Sequence, residues 1–364
     1  MPTAENFRGL SSVSRDQLSD EKKKPKCIVL FSGGLDSSLT AFLLKSIGIE
    51  VTAVHFLNGF SISRKKAIFS QNQCSSFENL KEIASKLQIQ LKIIDISKEF
   101  AEIVVNPKYG YGANANPCVD CKILMLKKAK EIMEKTGADF VATGEVLGQR
   151  PMSQRLDTFS IIERDSGLKG KLLRPLSAKL LPETEMEKTG LIDRDKLLSI
   201  SGRGRKTQIQ YASKIGIEDL VSSTSGCCLL TDPRYGEKFK DKTQHCKKKL
   251  DLKDFELLMI GRHFRISETL KFIVGRNLEE NEVLEKFCKG RLRFECVDVK
   301  GPIGITDESI PIEEQIILCA SILARYSDGK KEKEIWVEIS ENNEIKKVVK
   351  AKPLSDNKIL KLRV

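Results

Sequence analysis

The segment Ser32-Gly33-Gly34-Leu35-Asp36-Ser37-Ser38 combines residues suited to holding a polyphosphate. Glycines let the backbone approach an anion, serine hydroxyls add donors, and the free N–H groups of a helix's first turn point at whatever lies in front of them. No lysine follows these glycines and the spacing G-x-x-x-x-G-K-[ST] is absent, which sets the loop apart from the kinase type. Asp36 takes up part of that space, where a carboxylate could hold Mg²⁺ or position a pyrophosphate leaving group.

A second set of reactive groups lies in Asn116-Pro117-Cys118-Val119-Asp120-Cys121-Lys122, where two thiols at C-x-x-C spacing precede a helix. The positive helix end and Lys122 favour thiolate there, and Asp120 is expected to cap the helix. Three readings stay open: a redox dithiol, half of a zinc site, or two ligands of an iron–sulfur cluster with a sulfur-carrying position. Thr224-Ser225-Gly226-Cys227-Cys228-Leu229-Leu230-Thr231-Asp232-Pro233 offers further thiols in another turn. A closed four-ligand zinc site would need both adjacent cysteines, which is strained, so three ligands with an open fourth position fit better.

The elements that must position these groups alternate along the chain. Lys26–Phe31, Val51–Phe56, Leu91–Ile96 and Asp139–Gly144 read as strands. Helices are expected at Leu39–Lys45, at Phe77–Leu87 and from Cys121 to Thr136, with Gly137 as a stop. This pattern predicts an α/β fold, a doubly wound parallel sheet whose ligand crevice lies at the carboxyl ends of its strands. Those ends carry the Ser32–Ser38 loop, the segment after Phe56, and Gly144-Glu145.

Helical pieces are expected near Asp193–Leu198 and Gln208–Ile215. Strand-like segments then follow at Phe255–Ile266, Leu270–Val274, Leu292–Val299, Ile335–Ile339 and Ile345–Val349, with helices at Glu279–Phe287 and Ile312–Ala324. We therefore expect a flexible tail over 1–25, a nucleotide-binding and catalytic domain over 26–250 that includes the Cys228 segment, and a smaller α+β domain over 251–364.

Composition narrows the class. The net charge of +12 favours an acidic partner, with nucleic acid the first candidate, while 6% aromatic content argues against a broad base-stacking platform. No apolar run approaches membrane-spanning length and no signal-peptide core is evident, so a cytoplasmic protein with no membrane association is expected. Ten cysteines without an export signal do not read as a disulfide framework; Cys27, Cys74, Cys288, Cys296 and Cys319 read as small core residues.

The S-G-G-x-D-S run resembles the signature of the PP-loop ATP pyrophosphatase superfamily. Together with Asn116–Cys121, Thr143–Gln149, Ser153-Gln154, Leu173-Arg174-Pro175-Leu176 and Gly226–Pro233, in this order, it resembles the catalytic domains of tRNA thiouridine synthases over about residues 26–235. Some segments look like the 4-thiouridine synthases and others like the tRNA-specific 2-thiouridylases. The resemblance implies that Ser32, Gly33, Gly34, Asp36, Ser37 and Ser38, with Gly144, bind ATP and its Mg²⁺. It implies that Cys118, Cys121 and Cys228 ligate an iron–sulfur cluster of the 4Fe-4S kind, or that Cys121 and Cys228 act as a nucleophile and sulfur-bearing pair. Asp36, Cys118, Cys121 and Cys228 are then the catalytic residues. The role of Cys227 is left open.

Gly261–Arg265, Ile273–Asn277, Glu280-Asn281 and Leu284 resemble the RNA-binding module of NFACT-type proteins, with Arg262, Arg265 and Arg276 as RNA contacts. Arg150, Arg155 and Ser201–Lys206 are basic enough to grip phosphates, and His263 reads as a buried histidine bonded to backbone. The expected function is a tRNA sulfurtransferase whose partners are tRNA and a sulfur donor, sulfide or a cysteine desulfurase, with homo-oligomerisation open. The alternatives are a PP-loop ligase or amidotransferase, and an RNA-binding protein that only senses nucleotide.

Overall fold

Along β1 (Lys26–Leu30) successive side chains enter two different hydrophobic layers, Cys27 and Val29 on one side, Ile28 and Leu30 on the other. A strand covered on both faces reads as a continuous apolar run, which is why this one stands out in the sequence. The computed structural model describes residues 24–69, 75–217, 228–246, 248–307 and 311–364.

After β1 come α1 (Leu35–Ser46), β2 (Glu50–Leu57), α2 (Ile62–Phe69), α3 (Ser75–Lys86), β3 (Gln90–Asp95) and α4 (Ser97–Val105). Next are α5 (Cys118–Thr136), β4 (Phe140–Thr143), α6 (Leu156–Ser166), β5 (Leu172–Leu173), the short α7 (Glu185–Lys188) and α8 (Lys206–Lys214). The five strands form a parallel sheet in the order β3-β2-β1-β4-β5. Helices α1, α3 and α8 supply one covering layer, and α5 with α6 the other. In α5 the apolar residues Val119, Ile123, Leu126 and Met133 share the buried face, and Gly137 ends the helix at φ 65°. The expected doubly wound sheet is present, and its strand order reverses between β1 and β4, where such folds open their crevice.

The second sheet is antiparallel. It comprises β6 (Arg262–Arg265), β7 (Lys271–Val274), β8 (Leu292–Cys296), β9 (Gly304–Thr306), β10 (Ile335–Glu341) and β11 (Glu344–Ala351), in the order β11-β10-β8-β9-β7-β6. Helices α9 (Pro233–His245), α10 (Leu252–Leu257), α11 (Leu278–Glu285), α12 (Glu313–Arg325) and α13 (Asp356–Leu362) accompany it.

Two local expectations change. The strand expected from Phe255 begins only at Arg262, because Asp251 and Asp254 close a capping box, at 2.9 and 3.1 Å, that starts α10, and Lys242 pairs with Asp254 at 3.0 Å. The helical piece expected at Asp193–Leu198 is a single tight turn, Arg194–Lys196, held by the Asp193 carboxylate on the Asp195 N–H.

The two sheets are braced through one apolar cluster. Phe60 and Phe100 from the first half meet Tyr235, Phe239, Phe255, Ile273 and Ile305 from the second. Phe60 is fully buried, with ring centroids 5.5 Å from Phe100, 5.1 Å from Phe255 and 6.5 Å from Tyr235. The opposite face of the antiparallel sheet packs Phe272, Phe294 and Val337 against Cys319, Ile322 and Leu323 of α12. Among the described residues no helix is long and apolar enough to cross a membrane. We predict that Phe60→Ala lowers the free energy of unfolding by about 3–5 kcal/mol in a urea titration, the cost of an aromatic deletion in a packed core; a loss under about 1 kcal/mol would mean that this ring does not brace the two halves.

Candidate active site

The Ser32–Ser38 loop follows β1 and turns into α1 through Gly33, whose φ of 71° favours glycine and whose Cβ would come within 2.5 Å of Leu80 Cδ2. Ser37 Oγ receives the Ser32 N–H at 3.3 Å and donates to the Gly34 carbonyl at 3.0 Å, while Ser32 Oγ receives the Gly34 N–H at 3.3 Å. These hydroxyls hold the loop's shape. Ser37 and Ser38 are buried and Ser32 is exposed, so the surface offered to an anion is mainly backbone: the first-turn N–H groups of Leu35, Asp36 and Ser37, which no helical carbonyl can reach.

Gly144, just beyond β4, closes the other wall. A Cβ there would lie 2.6 Å from the Asp36 carbonyl oxygen and 2.7 Å from the Ser37 nitrogen, so only glycine lets the end of β4 meet the first turn of α1. Asp36 Oδ2 accepts from Gln149 Nε2 at 3.1 Å, whereas its Oδ1 is buried without a hydrogen-bond partner. Burial raises the Asp36 carboxyl above its ordinary range, against the pull of Gln149, Arg205, Gln208 and Arg150. A buried carboxylate oxygen lacking a donor is suited to a hard cation, so the residues present fit Mg²⁺.

Sequence reading assigns no individual role to Gln149 or Gln208. Arg150 and Arg205, considered there as phosphate grips on RNA, stand close enough to Asp36 to act on its charge. The bridge between Leu147 and Ser201, with the Gly202 N–H on the Leu147 carbonyl at 2.7 Å, brings their two segments together. His55, at the end of β2, places Nδ1 2.8 Å from the Phe31 carbonyl.

Glu145 follows Gly144 and is almost wholly buried. Thr143 Oγ1 donates to it at 3.0 Å, Arg174 Nε lies 3.3 Å from Oε2, and Lys122 Nζ lies 3.5 Å from Oε1. Burial pushes this carboxyl up, and Lys122, Arg174 and Thr143 together bring it below its usual range. Arg174 also binds Glu163 and lies over the Phe159 ring at 3.8 Å.

Lys122 leads to the thiols. Cys118 Sγ receives Asn116 Nδ2 at 3.1 Å, and Cys121 stands one residue before Lys122 on the first turn of α5. Asp120 does not cap α5 as expected: its two oxygens receive the Lys108 and Tyr109 N–H groups at 3.1 and 3.0 Å, anchoring the preceding loop. That loop is tied to the Cys228 segment by the Ala115 N–H on the Leu230 carbonyl at 3.2 Å and by Asn114 Nδ2 on the Thr231 carbonyl at 2.8 Å. Cys121 and Cys228 pack against one apolar cluster, and all three cysteines are partly exposed. Among the described residues, however, no group of three or more His, Cys, Asp or Glu is arranged to hold a metal ion. The donor set as it stands does not form the expected cluster site, and Cys227 and Cys74 lie outside the described residues.

Comparison with known proteins agrees with this layout. Residues 25–158 match the model of the tRNA methyl transferase HUP domain, and residues 261–363 that of the NFACT protein RNA binding domain. The tRNA-specific 2-thiouridylase MnmA of Petrotoga mobilis is 36% identical over 133 residues, 34% of this chain and 35% of that protein. The tRNA-specific 2-thiouridylase MnmA 1 of Clostridium tetani is 28% identical over 264 residues, 67% of this chain and 64% of that protein. A 4-thiouridine synthetase solved as an RNA complex with bound ATP aligns at 17% identity and a TM-score of 0.37, covering 65% of this chain and 53% of that one. The chain thus spans about a third of the length of the first curated relative and under two thirds of the second. Residues 25–158 are a HUP domain of the PP-loop type, homologous to that of the MnmA-type thiouridylases, and residues 261–363 are a domain of the NFACT RNA-binding type.

Proposed function

We propose that this chain is an ATP-dependent tRNA sulfurtransferase that adenylates a uridine carbonyl oxygen and replaces it with sulfur. The observation that carries the reading is a continuous path of contacts. Asp36 abuts Gly144, Glu145 follows it, Lys122 pairs with Glu145, and Cys121 precedes Lys122. The Ser32–Ser38 loop and the thiol-bearing helix are thereby linked through Gly144 and Glu145, an arrangement that supports a reaction needing activation and sulfur delivery at the same atom.

In this proposal the first-turn N–H groups of α1 receive the triphosphate; Asp36 would hold Mg²⁺, and that ion would supply charge neutralisation for the departing pyrophosphate. The carbonyl oxygen of the uridine attacks the α-phosphorus and pyrophosphate leaves. Sulfur then bonds to the same carbon, and the oxygen departs with AMP. At the cysteine centre, Cys118, Cys121 and Cys228, a cysteine desulfurase loads a persulfide onto one thiol of the Cys121 and Cys228 pair. As its outer sulfur bonds to the uridine carbon, the second thiol takes the inner sulfur into a Cys121–Cys228 disulfide, which an external thiol reductant reopens. Inorganic sulfide, already reduced, would instead attack the same carbon directly beside Cys118 with no disulfide formed. Glu145 keeps Lys122 and Arg174 in place around that centre and is a positioning residue.

Two substitutions separate the half-reactions. Asp36→Asn is expected to reduce RNA-dependent pyrophosphate release by about 100-fold or more, as befits loss of a charge aimed at the transferring group; release at the wild-type rate would remove Asp36 from the reaction. Cys121→Ala or Cys228→Ala is expected to abolish thionucleoside in tRNA, measured by mass spectrometry of nucleoside digests, while RNA-dependent pyrophosphate release persists. Full thionucleoside content in either variant would sink the sulfurtransferase reading, and RNA-dependent adenylation by a wild-type chain that forms no thionucleoside would match a PP-loop ligase. Iron and acid-labile sulfide retained under anaerobic purification and lost in Cys118→Ala would assign the cluster form of the chemistry; thiolation by metal-free protein would assign the persulfide form at Cys121 and Cys228.

A further inference from the structure

A cleft of about 440 Å³ opens between α9 and the β6 edge of the antiparallel sheet. Six cations line it: Lys65 of α2, Arg234 and Lys238 of α9, Arg262 of β6, Arg276 after β7, and Arg363 after α13. Among the described residues only Arg276 has a carboxylate within ion-pair distance, Glu280. Deeper in the same region the pattern is the reverse, since Arg265 and Lys271 both pair with Asp241, at 2.6 and 2.7 Å, and Lys242 pairs with Asp254. The fold thus neutralises its structural cations and leaves five of the six facing the cleft without a carboxylate partner among the described residues.

Lys238 shows the imbalance most clearly. Its ammonium donates to the Leu258 and Gly261 carbonyls at 3.2 and 3.0 Å. Burial, with repulsion from Arg276 and Lys271, lowers its pKa to about 7. Arg262 lies over the Tyr326 ring at 4.5 Å and donates to the Gly275 carbonyl at 3.0 Å, which fixes its planar donor group at the cleft. The lining side-chain carboxylates are Asp232, which caps α9, and the exposed Glu237, and Val364, which carries the terminal carboxylate, also lies on the lining.

We propose that this cleft is a composite phosphate site that grips the RNA backbone with residues from both parts of the chain and so seats the RNA beside the Cys228 segment. A set of arginines and lysines around one concavity, five of the six with no carboxylate at ion-pair distance among the described residues, is what a phosphodiester requires, and it carries no base information. RNA is the occupant because the cleft's far wall belongs to the region matched by the RNA-binding model, while its near wall includes Leu229, directly after Cys228, and Tyr235 of α9. The sequence-expected contact Arg265 drops out, being committed to Asp241, and Arg234, Lys238, Arg363 and Lys65 take its place. The coupling to sulfur delivery rests on the sulfurtransferase reading; the phosphate site itself does not.

The test takes the full chain with an unmodified tRNA transcript and follows binding by fluorescence anisotropy across a salt series. Arg234→Glu/Arg363→Glu reverses two exposed charges, one on each wall. Lys169→Glu/Lys188→Glu makes the same change in net charge at exposed positions outside the cleft. The cleft variant is expected to lose at least about tenfold in affinity and to flatten the salt dependence by about one to two phosphate contacts, with ATP binding unchanged. The other variant should stay close to wild type. Equal weakening of both variants, or of neither, overturns the proposal. Because the contrast is read from binding, a wild type that binds tRNA but forms no thionucleoside fails the functional reading and not the cleft.

Discussion

Glu145 is a carboxylate buried at the end of a central parallel strand, and much of the site's geometry follows from keeping it charged. An ion in that position costs several kcal/mol unless it is paired and hydrogen-bonded. Arg174, Lys122 and Thr143 meet that demand, and each comes from a different place: the end of β5, the first turn of α5, and β4 itself. Arg174 then extends the network to Glu163 and Phe159 of α6. One buried charge therefore sets the register of two strands and two helices. Since Gly144 is wedged against the Asp36 backbone, the same register fixes the Ser32–Ser38 loop relative to the thiol-bearing helix.

The second constraint is the aromatic cluster around Phe60. In many two-part proteins a linker leaves the parts free to move, whereas here apolar side chains of both sheets share one core. Helix α9 shows the same dual membership. Tyr235 and Phe239 enter that core, while Asp241 and Lys242 pair with residues of the antiparallel half. The Cys228 turn, which leads into α9, is consequently placed by contacts from both sides. Charge follows a complementary rule among the described residues, with carboxylates supplied to cations that support the fold and withheld from all but Arg276 of those around the cleft.

Much of the first half was legible because its signals are local. Buried parallel strands are continuous apolar runs, Gly137 is a helix stop, and the Ser32–Ser38 spacing demands a strand–turn–helix. His263 was also readable, and its Nε2 lies 2.7 Å from the Ile260 carbonyl in a fully buried position. The misread segment at 255–261 shows the limit. A short apolar run fits a strand or a buried helix equally, and the choice was made by Asp251, Asp254 and Lys242, whose pairing depends on α9 lying alongside. The strand Gly304–Thr306 spans three residues, too few for any periodicity to appear.

By itself the sequence determined the strand–loop–helix that can cradle phosphate, the alternating α/β order of the first half, and the presence of thiols at turn positions, because each depends on neighbours within a few residues. Tertiary structure alone decided which of those groups share a crevice. Asp36 and Gln149 meet across 113 positions, Lys122 and Glu145 join two elements, and Asp120 turns from a helix cap into an anchor for a loop. Arg265 is neutralised by Asp241 while Arg262 is left facing the cleft, although both lie on the same four-residue strand. Which charges are paired is a property of what packs against them, and that information is spread over the whole chain rather than written at any one site.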